Sequence, residues 1–225
     1  MIEHSLYFYS QLFLFVSAIV SLLIGYINRK RHHALKKLYL YPLASLLQSL
    51  IFYITIGLKT ELAFKDIIIT TSIYIFLFSE IALTYNFFTL VLKLVRLKNF
   101  FSFLRIVFSI IFIFLYAHIN SFAKFLTFFY ILQAIYILIP AFLYLSQFFK
   151  NPIMEDLNNE PSFWITVGLI FYFSCTFPIF LLKDFIFSKE GFIYEAELFS
   201  INYICYGMLF LLIAKAYLCK KSDSH

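Results

Sequence analysis

The chain has 225 residues, of which 63% are hydrophobic and 13% charged, with a mean hydropathy of +0.89. A water-soluble globule of this length has too little interior to hide so much apolar surface, so the composition excludes a soluble domain and makes the lipid bilayer the first partner. The formal net charge of +6 would suit nucleic acid, but the basic residues cluster between apolar segments, which reads as membrane topology and no nucleic-acid partner.

About 20 helical residues cross a hydrocarbon core roughly 30 Å thick, and seven segments of about that length follow one another. The first span covers 6–28; Glu3 precedes it and Arg29, Lys30 and Arg31 follow it, the order of a retained helix rather than a cleaved signal. Span two covers 38–58, with Pro42 in its first turns and Gln48 near mid-depth. Span three, 67–95, carries Glu80 near its middle, the one acid of the chain placed at that depth. Spans four and five cover 101–119 and 125–148, the latter containing Gln133 and Pro140. A polar loop bounded by Pro152 and Pro161 leads to span six, 163–182, and span seven covers 198–219. The expected fold is all-α, a single polytopic membrane domain of seven transmembrane helices.

Counting Lys and Arg in alternate loops orients it. Arg29, Lys30, Arg31, Lys36, Lys37, Lys93, Arg96, Lys98, Arg105, Lys150, Lys220 and Lys221 share one side, twelve against Lys59, Lys65, Lys124, Lys183 and Lys189 on the other. The positive-inside rule then places the N-terminus outside and the C-terminus in the cytoplasm, in a bacterial inner membrane. No connector is long enough for an independent folded domain.

An ionisable side chain at mid-membrane depth is costly and marks a functional site by default. Glu80 therefore reads as a proton or cation site or the anchor of a polar ligand. The competing reading is a hydrogen-bonded carboxyl that holds the bundle in register, with Gln48 at the right depth to meet it. Helical stepping places Ser72, Ser79, Ala82, Asn86, Thr89 and Lys93 on one small and polar stripe, the expected packing face of span three, with Glu80 at its border beside Ile73, Phe76, Leu77 and Thr84. Gln133 and Asn202 fall in the outer thirds of their spans and read as packing hydrogen bonds. Ser200, Tyr203, Gly207 and Ala214 form a packing stripe on span seven. Glu80, Gln48, Asn86 and Asn202 make up the candidate intramembrane polar set.

On the inner side, Glu155 and Asp156 make an acidic loop on a basic face, followed by Trp164 at interface depth. These three are the candidate contacts of a cytoplasmic signalling partner. Cys175, Cys205 and Cys219 form no CxxC and read as reduced structural thiols. His32 and His33 lie in a basic loop, and neither HExxH, GxSxG nor a Gly-rich phosphate loop occurs, so no metal, cofactor or enzymatic activity is expected. Lys215 stands one turn from the inner end of span seven, with Leu211 where microbial rhodopsins carry an acid, so it reads as a snorkelling lysine and not a retinal site.

The segments SEIALTYNFF, PSFWITVGLIFYFSCTFPIFLL and INYICYGMLFLLIAKAYLC resemble a group of small, uncharacterised seven-helix membrane proteins from Bacteroidota-type bacteria. Glu80, Pro161, Phe163, Trp164, Gly168, Pro178, Asn202 and Tyr203 carry the resemblance. It implies no established activity, and a sensing or relaying role only by analogy with seven-helix sensory modules. A small proton- or cation-coupled transporter or channel using Glu80 is the alternative expectation.

Overall fold

The computed structural model describes residues 2–30, 35–57, 62–92, 95–118, 122–150, 159–190 and 195–219. Among the described residues there are seven α-helices: α1 (Ile2–Asn28), α2 (Leu40–Gly57), α3 (Leu62–Val91), α4 (Val95–His118), α5 (Phe122–Lys150), α6 (Pro161–Glu190) and α7 (Glu195–Leu218). Each of the seven expected spans overlaps one helix, although span three is expected to reach 95 and α3 ends at Val91, with Val95 already in α4. Five are long and apolar enough to cross a membrane, over Leu6–Asn28, Ile67–Val91, Thr127–Lys150, Pro161–Leu181 and Glu197–Leu218, which makes this a multi-pass membrane protein. In α2 and α4 the apolar stretches are shorter, Leu40–Thr55 and Asn99–Ile111.

The helices form a closed ring in the order α1, α2, α3, α5, α6, α7 and back to α1, with α4 packed outside against α5. Neighbours that follow one another in the chain run up and down, while α3 and α5, with α4 between them in the chain, run parallel, Phe78 meeting Phe129 and Glu80 meeting Gln133. Tyr53 donates to Gln11 at one end of the α1–α2 pair while Tyr26 packs on Tyr39 at the other. Tyr130 stacks on Phe180 and Phe148 on Phe163 along α5–α6. The closing pair is parallel instead: Tyr7 meets Tyr203, Phe13 and Ser17 meet Gly207, and Gly25 meets Tyr217.

In lipid no hydrophobic force drives one apolar helix onto another, so small residues and interdigitated rings must supply the contact. Gly207 shows this at the α1–α7 seam, where an added Cβ would lie 2.5 Å from Phe13 Cε1 and 3.0 Å from Ser17 Oγ. Ser200 and Ala214, with Gly207, lie buried along the same helix, as the stripe on span seven predicts. Between α3, α4 and α5 the contacts are aromatic: Phe101 stacks on both Tyr85 and Tyr136, and Phe108 packs on Phe129.

The stripe expected on α3 forms only part of its packing face. Ser72 is buried and Ser79 and Thr89 are half-buried, but Ala82 and Asn86 are exposed, whereas Leu77, Glu80, Ile81, Thr84, Phe87 and Phe88 are buried; Lys93 lies outside the described residues. The reason is local. Ser72, Ser79 and Thr89 donate their hydroxyls to the carbonyls of Ile69, Phe76 and Asn86 on their own helix, so these groups need no partner across an interface.

The connector after α1 is also built differently from a solvent loop. Leu35 and Leu38 are buried while Lys36 and Lys37 between them are exposed. Turn hydrogen bonds from Leu38 N to Leu35 O, Leu40 N to Lys37 O and Tyr41 N to Leu38 O fold this segment into the end of the bundle. Tyr217 of α7 holds it there through a 2.6 Å bond from its hydroxyl to the Leu35 carbonyl.

Candidate functional site

Inside the ring, side chains from α2, α3, α5, α6 and α7 meet around one carboxyl. Glu80 is 2% exposed, and the Tyr41 hydroxyl of α2 donates to its Oε1. Gln133 of α5, wholly buried, donates from Nε2 to Oε2 at 2.6 Å. One carboxyl thus ties three helices together. Leu77 and Thr84, a turn away on either side, are wholly buried, and Thr84 is satisfied by the carbonyls of Glu80 and Ile81.

Tyrosines close the far side of this centre. Tyr206 of α7 stacks on Tyr172 of α6 with ring centroids 4.7 Å apart, and packs at a steeper angle against Tyr41. Phe210 packs edge-on against Tyr41. Tyr41, Tyr172, Tyr206 and Tyr130 are all within electrostatic reach of Glu80. Two polar atoms here remain unmet: Gln133 Oε1 and the Tyr206 hydroxyl are buried with no hydrogen-bond partner. Tyr41 and Ser45 lie beside the Tyr206 hydroxyl, but neither has hydrogen-bond geometry to it. Leaving such groups unpaired in an apolar surrounding costs on the order of 1–3 kcal/mol each.

The other expected residues are distributed elsewhere. Gln48 is half-buried on α2, and the places expected for it at Glu80 are taken by Tyr41 and Gln133. Asn86 is exposed near the end of α3. Asn202 lies one turn before Tyr206 on α7, with its Oδ1 buried and without a partner. Glu155 and Asp156 lie outside the described residues. Trp164 is half-buried at the start of α6, with the Lys215 ammonium 5.7 Å from its ring centroid. Lys215 itself is exposed, as a snorkelling lysine should be.

No protein-family model, characterised protein or solved structure matches the chain. The chemistry of the site therefore rests on the geometry alone. A buried acid held by two exchangeable donors can change partners when it gains or loses a charge, and each partner belongs to a different helix. Among the described residues no group of His, Cys, Asp or Glu is large enough to hold a metal through those side chains alone.

Proposed function

We propose that the protein is a seven-span inner-membrane protein, N-terminus outside and C-terminus cytoplasmic, that relays a membrane-side signal to a cytoplasmic partner without catalysing a reaction. The observation that carries this reading is the continuous path from Glu80 to an exposed basic turn. Glu80 accepts from Tyr41, Tyr41 opens α2, and the turn before it is pinned by Tyr217 of α7. A change of state at the carboxyl alters the hold on Tyr41 and so the position of Lys36 and Lys37, which face outward from the bundle. The path gives the signal a two-ended element that both sites can bias, as any coupling between distant sites requires.

Two features support the topology. A parallel α1–α7 pair needs an odd number of crossings between them, and five helices intervene. The excess of Lys and Arg on one side agrees with a cytoplasmic C-terminus.

A photo-crosslinking amino acid placed at Lys36 or Lys37 in living cells tests the relay. The expected result is one specific adduct with a cytoplasmic or membrane partner, whose yield changes in Tyr41→Phe. No specific adduct, or a yield indifferent to Tyr41→Phe, contradicts the proposal.

The alternative, a small proton- or cation-coupled transporter or channel, draws on the unmet polar atoms around Glu80. It requires flux into liposomes that disappears in Glu80→Gln; a purified protein that passes no ions under any gradient removes it.

A further inference from the structure

We infer that Arg105 on α4 is the docking point for a transmembrane helix of a second protein, one that carries a carboxylate at the depth of Tyr85. This surface goes beyond the relay, since it uses neither Glu80 and Tyr41 nor the basic turn.

Arg105 is exposed, and its guanidinium carbon lies 4.6 Å from the centroid of the Tyr85 ring on α3. The depth of that charge is set by the neighbours of α4. Phe101 stacks on Tyr85 and on Tyr136, with ring centroids 5.2 and 5.0 Å apart, and these two tyrosines belong to the apolar spans Ile67–Val91 and Thr127–Lys150. From Tyr85 to Val91 the helix rises about 9 Å, and from Tyr136 to Lys150 about 21 Å. The guanidinium therefore lies inside the apolar zone, on a helix that stands outside the ring and exposes Phe103, Ile106 and Ile110 beside it.

A charge so placed is costly and is kept where something pairs with it. Among the described residues no carboxylate pairs with Arg105 and no acceptor takes a hydrogen bond from its guanidinium. The polar groups near it are neutral: the Tyr85 hydroxyl, the Ser102 hydroxyl 3.2 Å from it, and the Tyr136 hydroxyl, which is buried without a partner and within electrostatic reach of Arg105. A lipid phosphate sits outside the hydrocarbon core, beyond the end of α3 and out of reach of a guanidinium held on Tyr85. A second copy of this chain offers no free acid at that depth among the described residues: Glu80 is buried on Tyr41 and Gln133, and Glu160 and Glu197 stand at the starts of α6 and α7. A carboxylate on a foreign transmembrane helix meets the guanidinium at its own level and matches its fork of donors. Small side chains leave room for that helix. Ser109, one turn along α4 from Arg105, is exposed with its hydroxyl bonded to the Arg105 carbonyl, and Ala82, one turn from Tyr85 on α3, is exposed as well.

The test is energy transfer in phosphatidylcholine vesicles, from a donor on the full-length protein to acceptor-labelled transmembrane peptides of leucine and alanine that differ only in carrying Glu, Gln or Leu at the depth of Tyr85. The expected result is half-saturation by the Glu peptide at a peptide-to-lipid ratio about tenfold lower than by the Leu peptide, with the Gln peptide between them. In Arg105→Leu, which puts an apolar side chain on a lipid-facing position and should leave the fold intact, the three peptides should become equal. Arg105→Lys, which keeps the charge but loses the fork, should retain part of the preference. Equal association of the three peptides with the wild type, or a Glu preference that survives Arg105→Leu, overturns the inference. So does a Glu preference that vanishes when part of the phosphatidylcholine is replaced by phosphatidylglycerol, because lipid phosphate then supplies the counter-charge. These readouts do not involve Lys36, Lys37 or Tyr41, so failure of the relay leaves this docking surface standing, and the reverse.

Discussion

Glu80 is a residue whose meaning depends on its acceptor chemistry. It carries no hydrogen-bond donor in this arrangement and offers two oxygens to Tyr41 and Gln133. Glu80→Leu would strand both donors in the core, at a cost of about 1–3 kcal/mol for each, whereas Glu80→Gln can re-pair and should cost less than about 1 kcal/mol by the typical worth of intramembrane hydrogen bonds. Reversible unfolding in detergent measures the difference; equal losses for the two variants would show that the hydrogen bonds contribute nothing. Glu80 itself was legible in the sequence, because a carboxyl surrounded by Phe, Ile and Leu at mid-span stands out whatever the fold. Its partners were not. Gln133 reads as peripheral when depth is counted from approximate span ends, and nothing in the sequence singles out Tyr41, next to Pro42 in the first turns of span two, until the buried connector shows that it reaches into the bundle.

Helices in this bundle are held by shape more than by polarity. Gly207 allows α7 to lie directly against Phe13 and Ser17 of α1, and Gly168 lets Leu209 and Leu212 approach α6. Gly207→Leu should therefore cost about 1–3 kcal/mol through overpacking. Ala82→Leu, on the exposed face of α3, should change stability by no more than about 0.5 kcal/mol. The same unfolding assay compares the two, and a larger loss at Ala82 would place the α3 interface where its small residues are. Helix positions could be read from apolar length and breakers, and the α7 stripe from its glycine. The α3 stripe misled because hydroxyls that bond back to their own helix look, in sequence, the same as hydroxyls that join two helices.

At the scale of the whole molecule, six of the described helices close into a ring with an acid inside it, and α4 stands outside against α5. Span positions were within reach of composition and period, while the ring order was not, since nothing in the local pattern says that α4 stands outside or that α7 returns to α1. A reporter fused after His225 should read cytoplasmic, and a reading outside would reverse the proposed orientation. The central claim is that the buried carboxyl governs the basic turn through Tyr41. Hydrogen–deuterium exchange of the protein in lipid nanodiscs, wild type against Tyr41→Phe, tests it most directly, at the amides of Leu38, Leu40 and Tyr41 that form the turn. Exchange there should accelerate at least tenfold in the variant while the amides of Gly168–Tyr172 in α6 keep their protection; an unchanged turn would contradict the account.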